Sequence, residues 1–584
     1  MRARACHSMR RCQTAMTNAI FAIGVVSALG ACTASDQSST TVTPTVAAPT
    51  TEPVSVAIAN GPQQATVAIA YSYDATLNGS CFKDPKGTGL TYAVAFAPSA
   101  NGLVATAGRI SGVPLIAGTF AVTITAIDAL GKSATNSFTI TAVNAIPVVL
   151  ASANTPQGAT VGGAITYDAT KNGSAFTGTA LTYAVSFTPN ANGLTATNGR
   201  ITGAPANAGI TTATIVATDA AGNTASNSFP IVAFSADLTA PTPPSTAYAY
   251  ADATSPLPAH FTLTAGGARG PGGSVIAADN TPATNITTDA GAALGRVLFY
   301  DRRLSLNDRV ACASCHQQQF GFADTARLSR GFAGASTGRH SMALQNARFY
   351  NRGRFFWDER AATLEAQVLA PIQDPTEMGM SLGNVVTKLT LSAYYAPLFQ
   401  AAFGTPEVTT DRVARALSQF VRALVSSSAK FDRAFANGPP NFPAVFTQQE
   451  LLGQQLFNGP GKCAQCHETN AQIGDDIHNT GLDATVADIG AGQGRFKAPS
   501  LRNIEKRGRF MHDGRFTTLE QVVEFYNAGV QNSGNLDNRL RGPNNQSQRL
   551  NLSSVEKDAI VAYMKTFTDD TFLTAAKLGN PFSR

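Results

Sequence analysis

Two short strings decide what the C-terminal half of this chain can be. Cys312-Ala313-Ser314-Cys315-His316 and Cys463-Ala464-Gln465-Cys466-His467 both read C-x-x-C-H, the attachment signature of c-type haem. The spacing has a physical basis. Two thiols must reach the two vinyl groups along one edge of a porphyrin, and the adjacent His must swing under the ring so that an imidazole nitrogen meets the iron. Zinc and a redox dithiol are the alternatives for such cysteine pairs. Zinc ribbons set their two pairs about 15–20 residues apart, far closer than here. A thioredoxin-like dithiol requires neither a following His nor a second copy. Each haem needs its own apolar pocket, so the wide spacing implies two haem domains, 276–440 and 441–584. Cys312, Cys315, Cys463 and Cys466 would attach the two cofactors covalently, with His316 and His467 on the irons.

Helical periodicity supports that architecture. Within 411–426, Val413, Leu417, Phe420, Val421 and Leu424 fall on one stripe, with Arg412, Arg415 and Arg422 off it. The segment 555–567 is patterned alike, and no strand is evident after Gly291. The region is expected to be mainly α-helical, with long loops around the cofactors.

The N-terminal half has a different grammar. Arg2, Arg4, Arg10 and Arg11 precede an apolar run over 19–29, too short to span a bilayer, and Leu29-Gly30-Ala31-Cys32 follows. The arrangement resembles a bacterial lipoprotein signal over 1–31, with Cys32 as the lipidated residue. An ordinary secretory signal with a chance Cys is the alternative. The Ser/Thr-rich stretch 32–52 reads as a flexible tether. The expected location is the cell envelope, on its periplasmic or surface side, with a lipid anchor as the only membrane attachment. The formal charge is +6, and four of the positive charges belong to the signal, so nothing points to a nucleic-acid partner. An apolar fraction of 44% excludes a wholly disordered chain.

Tyr73-Asp74-Ala75-Thr76 recurs as Tyr167-Asp168-Ala169-Thr170, and Asn136-Ser137-Phe138 as Asn227-Ser228-Phe229. A period of about ninety residues means two whole small domains rather than a solenoid. Segments rich in Thr, Val and Ile, such as 120–127 and 211–217, are separated by Gly, Asn and Pro and read as short sandwich strands. The repeats, 53–144 and 145–235, resemble immunoglobulin- or cadherin-like modules of bacterial surface proteins. Asp128 and Asp219 sit at equivalent places; closing a turn is the first reading and touching calcium the second. Cys81 has no counterpart in the second copy and is expected to be a buried, idle thiol. A Pro/Gly linker is expected over 236–275, letting the sandwich modules hold the haem region away from the membrane.

Further marks make the resemblance of the C-terminal half specific. Leu294-Gly295-Arg296-Val297-Leu298-Phe299-Tyr300-Asp301, Phe356-Trp357-Asp358-Glu359-Arg360 and Phe510-Met511-His512-Asp513-Gly514-Arg515 are similar to motifs of the bacterial di-haem cytochrome c peroxidases and their MauG relatives. The resemblance covers about 280–582. It implies that the N-terminal haem reacts with peroxide and that the C-terminal haem takes or stores oxidising equivalents. It implies that Trp357, the sole Trp, lies between them, and that Gln367 and Glu377 serve the peroxide pocket. A partly buried carboxyl can take a proton from one peroxide oxygen and return it to the other.

The resemblance also separates subfamilies by the sixth ligand of the second haem. The classical peroxidases carry a Met where Tyr526 stands here, and the MauG relatives carry Tyr. Met511 is the alternative ligand, with Tyr526 then packing in a helix over 519–527. A phenolate favours ferric and higher iron, whereas Met favours ferrous iron. No distal His is found near Phe332. His340 falls where the family has an Asn that binds an inter-haem calcium. Arg507 and Arg509 stand where it offers carbonyls, so calcium is in doubt on charge grounds.

The fold class expected is therefore two all-β immunoglobulin-like sandwiches followed by a mainly α-helical di-haem cytochrome c region. The expected function is reduction of hydrogen peroxide to water with electrons from a small donor, a cytochrome c or a copper protein. The first rival is a MauG-like enzyme that oxidises Trp or Tyr on a partner protein. The second is a plain electron-transfer cytochrome with adhesive modules.

Overall fold

The computed structural model describes residues 52–263, 273–474 and 476–582. The signal over 1–31, Cys32, and the tether up to residue 51 lie outside the described residues, as do Gly266, Gly267 and Gly270.

Both repeats are sandwiches, and their shared residues explain one another. In the first, Leu90–Ala97 pairs antiparallel with Gly118–Asp128. Inward-facing Ile110, Val122, Ile124 and Ile140 are fully buried, as alternation in a half-buried sheet requires. In the second, Thr182–Thr188, Gly209–Thr218, Thr224–Phe234 and Gln157–Thr160 form a four-stranded sheet, the last strand parallel to its neighbour. A three-stranded sheet of Ile165–Asp168, Arg200–Gly203 and Leu194–Thr197 faces it. A buried Asn links the recurring strings of each repeat. Asn60 donates from its side chain to the Ala75 carbonyl (2.9 Å), receives the Tyr73 hydroxyl (2.6 Å), and gives its backbone N–H to Asn136 Oδ1 (2.9 Å). Asn154 repeats this with Ala169, Tyr167 and Asn227 at 3.0, 2.6 and 2.7 Å. Asp128 and Asp219 each accept two backbone N–H groups from the turn that follows, the turn-closing role. Cys81 is buried and free.

The linker expected over 236–275 is, in its described part, a strap laid on the helical region. Thr242 N–H donates to the Pro581 carbonyl. The Tyr250 hydroxyl donates to the Lys577 carbonyl at 2.6 Å, and the backbone N–H groups of Tyr250 and Ala251 cap Asp289. His260 and Phe261 are buried. Proline stiffens such a chain, and here aromatic residues between the prolines give it something to bury. The second sandwich is fastened as well: Ser235 N–H donates to Asp308 at 2.9 Å, and Asp308 also meets buried Lys388.

The helical region holds two cores of like construction. Helix Asp289–Tyr300 crosses Thr410–Arg422, and helix Gln448–Asn458 crosses Ser554–Lys565. Each crossing closes on a glycine. A Cβ on Gly295 would lie 2.0 Å from the Ala416 carbonyl oxygen, and one on Gly453 would lie 1.9 Å from that of Ala559. The expected stripe holds: Val413, Leu417, Phe420, Val421 and Leu424 are buried. Arg422, expected off the stripe, is buried too, because Glu365 reaches it at 2.7 Å. Two elements depart from expectation. A short hairpin pairs Ile477–His478 with Phe496–Lys497, although no strand is legible in the sequence after Gly291. The helix expected over 519–527 is α-helical only over Leu519–Glu524 and then widens into a π-turn, Phe525–Gly529.

Candidate active site

Each C-x-x-C-H string opens onto a cavity of its own. The first, about 660 Å³ of empty space, is lined by Cys312, Cys315 and His316 with apolar walls from Phe299, Leu417 and Val421. Gln367, Pro371 and Glu377 line the same cavity. The second, about 1470 Å³ of empty space, holds Cys463, Cys466 and His467 against Leu519, Val523 and Met564.

Local structure prepares both histidines for a metal. His316 ends the short helix Cys312–Cys315. Its Nδ1 lies 2.9 Å from the Phe322 carbonyl, so Nδ1 carries the proton and Nε2 keeps its lone pair. Burial lowers the pKa of His316 and pushes His467 down to about 4. Both rings are thus neutral, the form that ligates. The cysteines argue against the dithiol alternative. All four are free. Burial pushes Cys312 and Cys463 up to about 12 and Cys315 up to about 11, whereas redox dithiols need a depressed thiol. Among the described residues no three His, Cys, Asp or Glu side chains gather to hold a metal ion. Two thiols and one neutral imidazole on an apolar cavity fit a c-type haem in both places.

Glu377 lines the first cavity. Its backbone is pinned by Asp374, and its carbonyl accepts the Phe332 N–H at 2.8 Å. Burial, helped by the nearby Asp374 and opposed by Arg360, raises its pKa above the ordinary glutamate range. Phe332 is not among the residues lining the first cavity. His340 is no distal group either: it lines the second cavity, with Nδ1 against the Ala326 and Arg327 carbonyls.

One segment separates the two cavities. Residues 340–343 line the second and Leu344 lines the first. Ser341 Oγ donates to the Cys315 carbonyl (2.8 Å) and lies 3.2 Å from His316 Nδ1. The neighbouring His340 carbonyl accepts Trp357 Nε1–H at 2.8 Å, and Trp357 lines the second cavity. Trp357 is thereby joined to the partition whose other side touches His316.

Tyr526 and Met511 both line the second cavity. The π-turn carries Tyr526, and burial raises its pKa. Lys462, Lys497, Arg507 and Arg509 also line this cavity, a cationic rim suited to haem carboxylates. Arg507 further donates to the Ser500 and Arg502 carbonyls. His512 lies there too, stacked on Phe496 at 3.7 Å. Sequence reasoning missed Ser341, Lys497 and His478, which have no motif. It also missed that Leu294-Gly295 … Leu298-Phe299 recurs as Leu452-Gly453 … Leu456-Phe457. That internal echo would have located the second helix crossing.

Comparison with known proteins agrees with this geometry. A family model for di-haem cytochrome c peroxidases matches residues 289–439, and an Ig domain model matches 147–233. The methylamine utilization protein MauG of Methylorubrum extorquens is 36% identical over 296 residues, covering 49% of this chain and 80% of that protein. Cytochrome c551 peroxidase of Nitrosomonas europaea is 34% identical over 292 residues, covering 48% and 80%. A solved MauG-like protein associated with microbial copper homeostasis aligns with a TM-score of 0.47 at 28% identity, covering 52% of this chain and 96% of that one. The plain electron carrier is thereby set aside: the chain belongs to the di-haem cytochrome c peroxidase and MauG family of oxidoreductases, whose members work with two c-type haems.

Proposed function

We propose that this protein reduces hydrogen peroxide to water at the His316 site with electrons drawn through the His467 site. Cys312, Cys315, Cys463 and Cys466 would hold the two haems through thioether bonds, and His316 and His467 would hold the irons. A bound haem supplies the iron at which the peroxide O–O bond is cleaved. Glu377 takes the proton from the near peroxide oxygen and returns it to the departing oxygen. Gln367 orients the peroxide by hydrogen bonding. Trp357 conducts electrons across the partition. Two electrons and two protons turn each hydrogen peroxide into two waters. The observation that carries this reading is the convergence of Gln367, Pro371 and Glu377 on the cavity of the first C-x-x-C-H string.

Tyr526, with Met511 as the alternative, would hold the iron of the second haem. A π-turn is a common device at functional sites, and here it carries Tyr526 on the cavity wall. Phenolate ligation holds the iron in its oxidised forms. This favours a second reading, in which the stored oxidising equivalents are spent on Trp or Tyr residues of a partner protein. The reductant in the first reading is a small redox protein, a cytochrome c or a copper protein. The lipoprotein-like signal over 1–31, with Cys32 directly after it, supports a lipid-anchored place in the cell envelope.

The deciding experiment begins with the visible and spin-resonance spectra of the resting protein. One high-spin, five-coordinate haem beside a six-coordinate one is expected; two six-coordinate haems would refute a peroxide site. Steady turnover of peroxide with reduced cytochrome c or a copper protein supports the peroxidase. Stoichiometric consumption with cross-linking or hydroxylation of a co-purified protein supports the protein-modifying reading.

A further inference from the structure

Behind the wall of the second cavity lies an unusual group that the proposed mechanism does not use. Glu359 adopts φ +53°, a left-handed backbone that a residue with a side chain rarely takes. Its carboxylate is also buried, at 3% exposure, which costs free energy unless it is fully paired. Two neighbours repay it. The Tyr350 hydroxyl donates a hydrogen bond to Glu359 Oε1, and Arg352 closes on the carboxylate with Nε and Nη2 at 2.8 Å each. Strain and burial of this kind persist where the surroundings over-determine them, and they gather at working sites.

Lys497 connects this group to the cavity wall. Its backbone N–H donates to the Trp357 carbonyl at 2.8 Å, and its Nζ stands 3.6 Å from the centre of the Tyr350 ring. Lys497 and Trp357 both line the second cavity. Tyr350 therefore sits one side chain behind the wall that carries Trp357.

We propose that Tyr350 is a redox-active side chain that loses an electron and a proton together, with Glu359 as the proton acceptor. The inference rests on the peroxide reading above. An oxidised phenol that keeps its proton is cationic and strongly acidic. Burial pushes the Lys497 amine down to about 7, and its protonated fraction against the ring makes that charged form costlier still. Transfer of the proton to Glu359 removes the added charge from the ring and leaves this as the open route. The balance is simple. The Tyr350 O–H bond breaks, its proton goes to Glu359 Oε1, and its electron passes toward the Trp357 wall. That electron meets one of the two equivalents demanded by hydrogen peroxide, the oxidant. A neutral phenoxyl radical and a carboxylic acid remain, and one electron from the donor restores both.

The test uses the full-length, haem-loaded protein without a donor. It is mixed with one equivalent of hydrogen peroxide, frozen within milliseconds, and read by electron spin resonance alongside the optical haem bands. The expected result is an organic radical whose hyperfine pattern narrows when the protein is grown on ring-deuterated tyrosine. The signal is lost in Tyr350→Phe and weakened in Glu359→Gln, while the resting haem spectra of both variants stay as in the parent. If Glu359→Gln does not mature, Glu359→Asp, which keeps a proton acceptor, should retain the signal; its loss there overturns the role of Glu359. A tyrosine radical that survives in Tyr350→Phe, or a radical insensitive to the deuterium, refutes the inference while leaving the peroxide reading intact. So does an absent radical when the haem bands respond. Haem bands that ignore peroxide overturn both.

Discussion

Single side chains carry the chemistry, and Glu377 is the most exposed to test. Burial raises its pKa, with Asp374 adding to the rise, so its carboxylate, the form that would accept a peroxide proton in the proposed reaction, is lost at a higher pH than for an ordinary glutamate near 4.3. The acid limb of kcat/KM for peroxide should therefore lie above that value. Glu377→Gln should abolish the limb and slow peroxide cleavage by about 10²–10⁴-fold, the usual worth of a positioned acid–base group, with both haems still attached. The sign for stability is opposite. A raised folded-state pKa contributes stability below the unfolded value, and that contribution fades as pH rises through the folded one. At the second cavity, Tyr526→Met should raise the reduction potential of the His467 haem, because a thioether favours ferrous iron where a phenolate favours ferric. An unchanged potential in spectroelectrochemical titration would move the assignment to Met511.

At the level of elements, the two helix crossings depend on the absence of a side chain at one place in each. Gly453→Ala would push a methyl group to 1.9 Å from the Ala559 carbonyl. The helices must part, at a cost of about 1–3 kcal/mol, seen as an earlier denaturant midpoint followed at the second haem. Gly383 lies in the helix Leu382–Leu391, and the place a methyl group would take there has nothing within 4 Å, so Gly383→Ala should leave that midpoint unchanged or later. What is legible in the sequence follows the same physics. Val413, Leu417 and Phe420 announce their helix because burial on one face imposes a period. The C-x-x-C-H strings are legible because covalent geometry fixes their spacing. The π-turn at Phe525–Gly529 is not legible, since it is stabilised by distant partners: Gln548 on the Tyr526 carbonyl and the Asn527 side chain on the Leu552 N–H. The hairpin of Ile477–His478 with Phe496–Lys497 is too short to show alternation. The strap residues Tyr250 and Phe261 reveal their burial only once Lys577 and Phe349 are in place.

For the molecule as a whole, the strap and the second haem domain are joined by a buried charge cluster. Asp432 receives His260 at 2.7 Å and both Arg502 amino groups at 2.5 and 2.8 Å. Burial works against this carboxylate, but Arg502 and His260 outweigh it and hold its pKa below the ordinary range. A depressed carboxyl stabilises above its unfolded pKa and stops doing so as pH falls through the folded value. Acid should thus loosen the strap. Asp432→Asn, which leaves Arg502 buried without its counter-charge, should cost about 3–5 kcal/mol in a thermal melt at neutral pH. The arrangement of the two cavities has a longer reach. Since residues 340–343 wall the second and the adjoining Leu344 walls the first, neither basin can be reshaped from that side without moving its neighbour's boundary. Adaptation to a new donor or client is then channelled outward, into rims and appended modules, while the shared septum stays fixed.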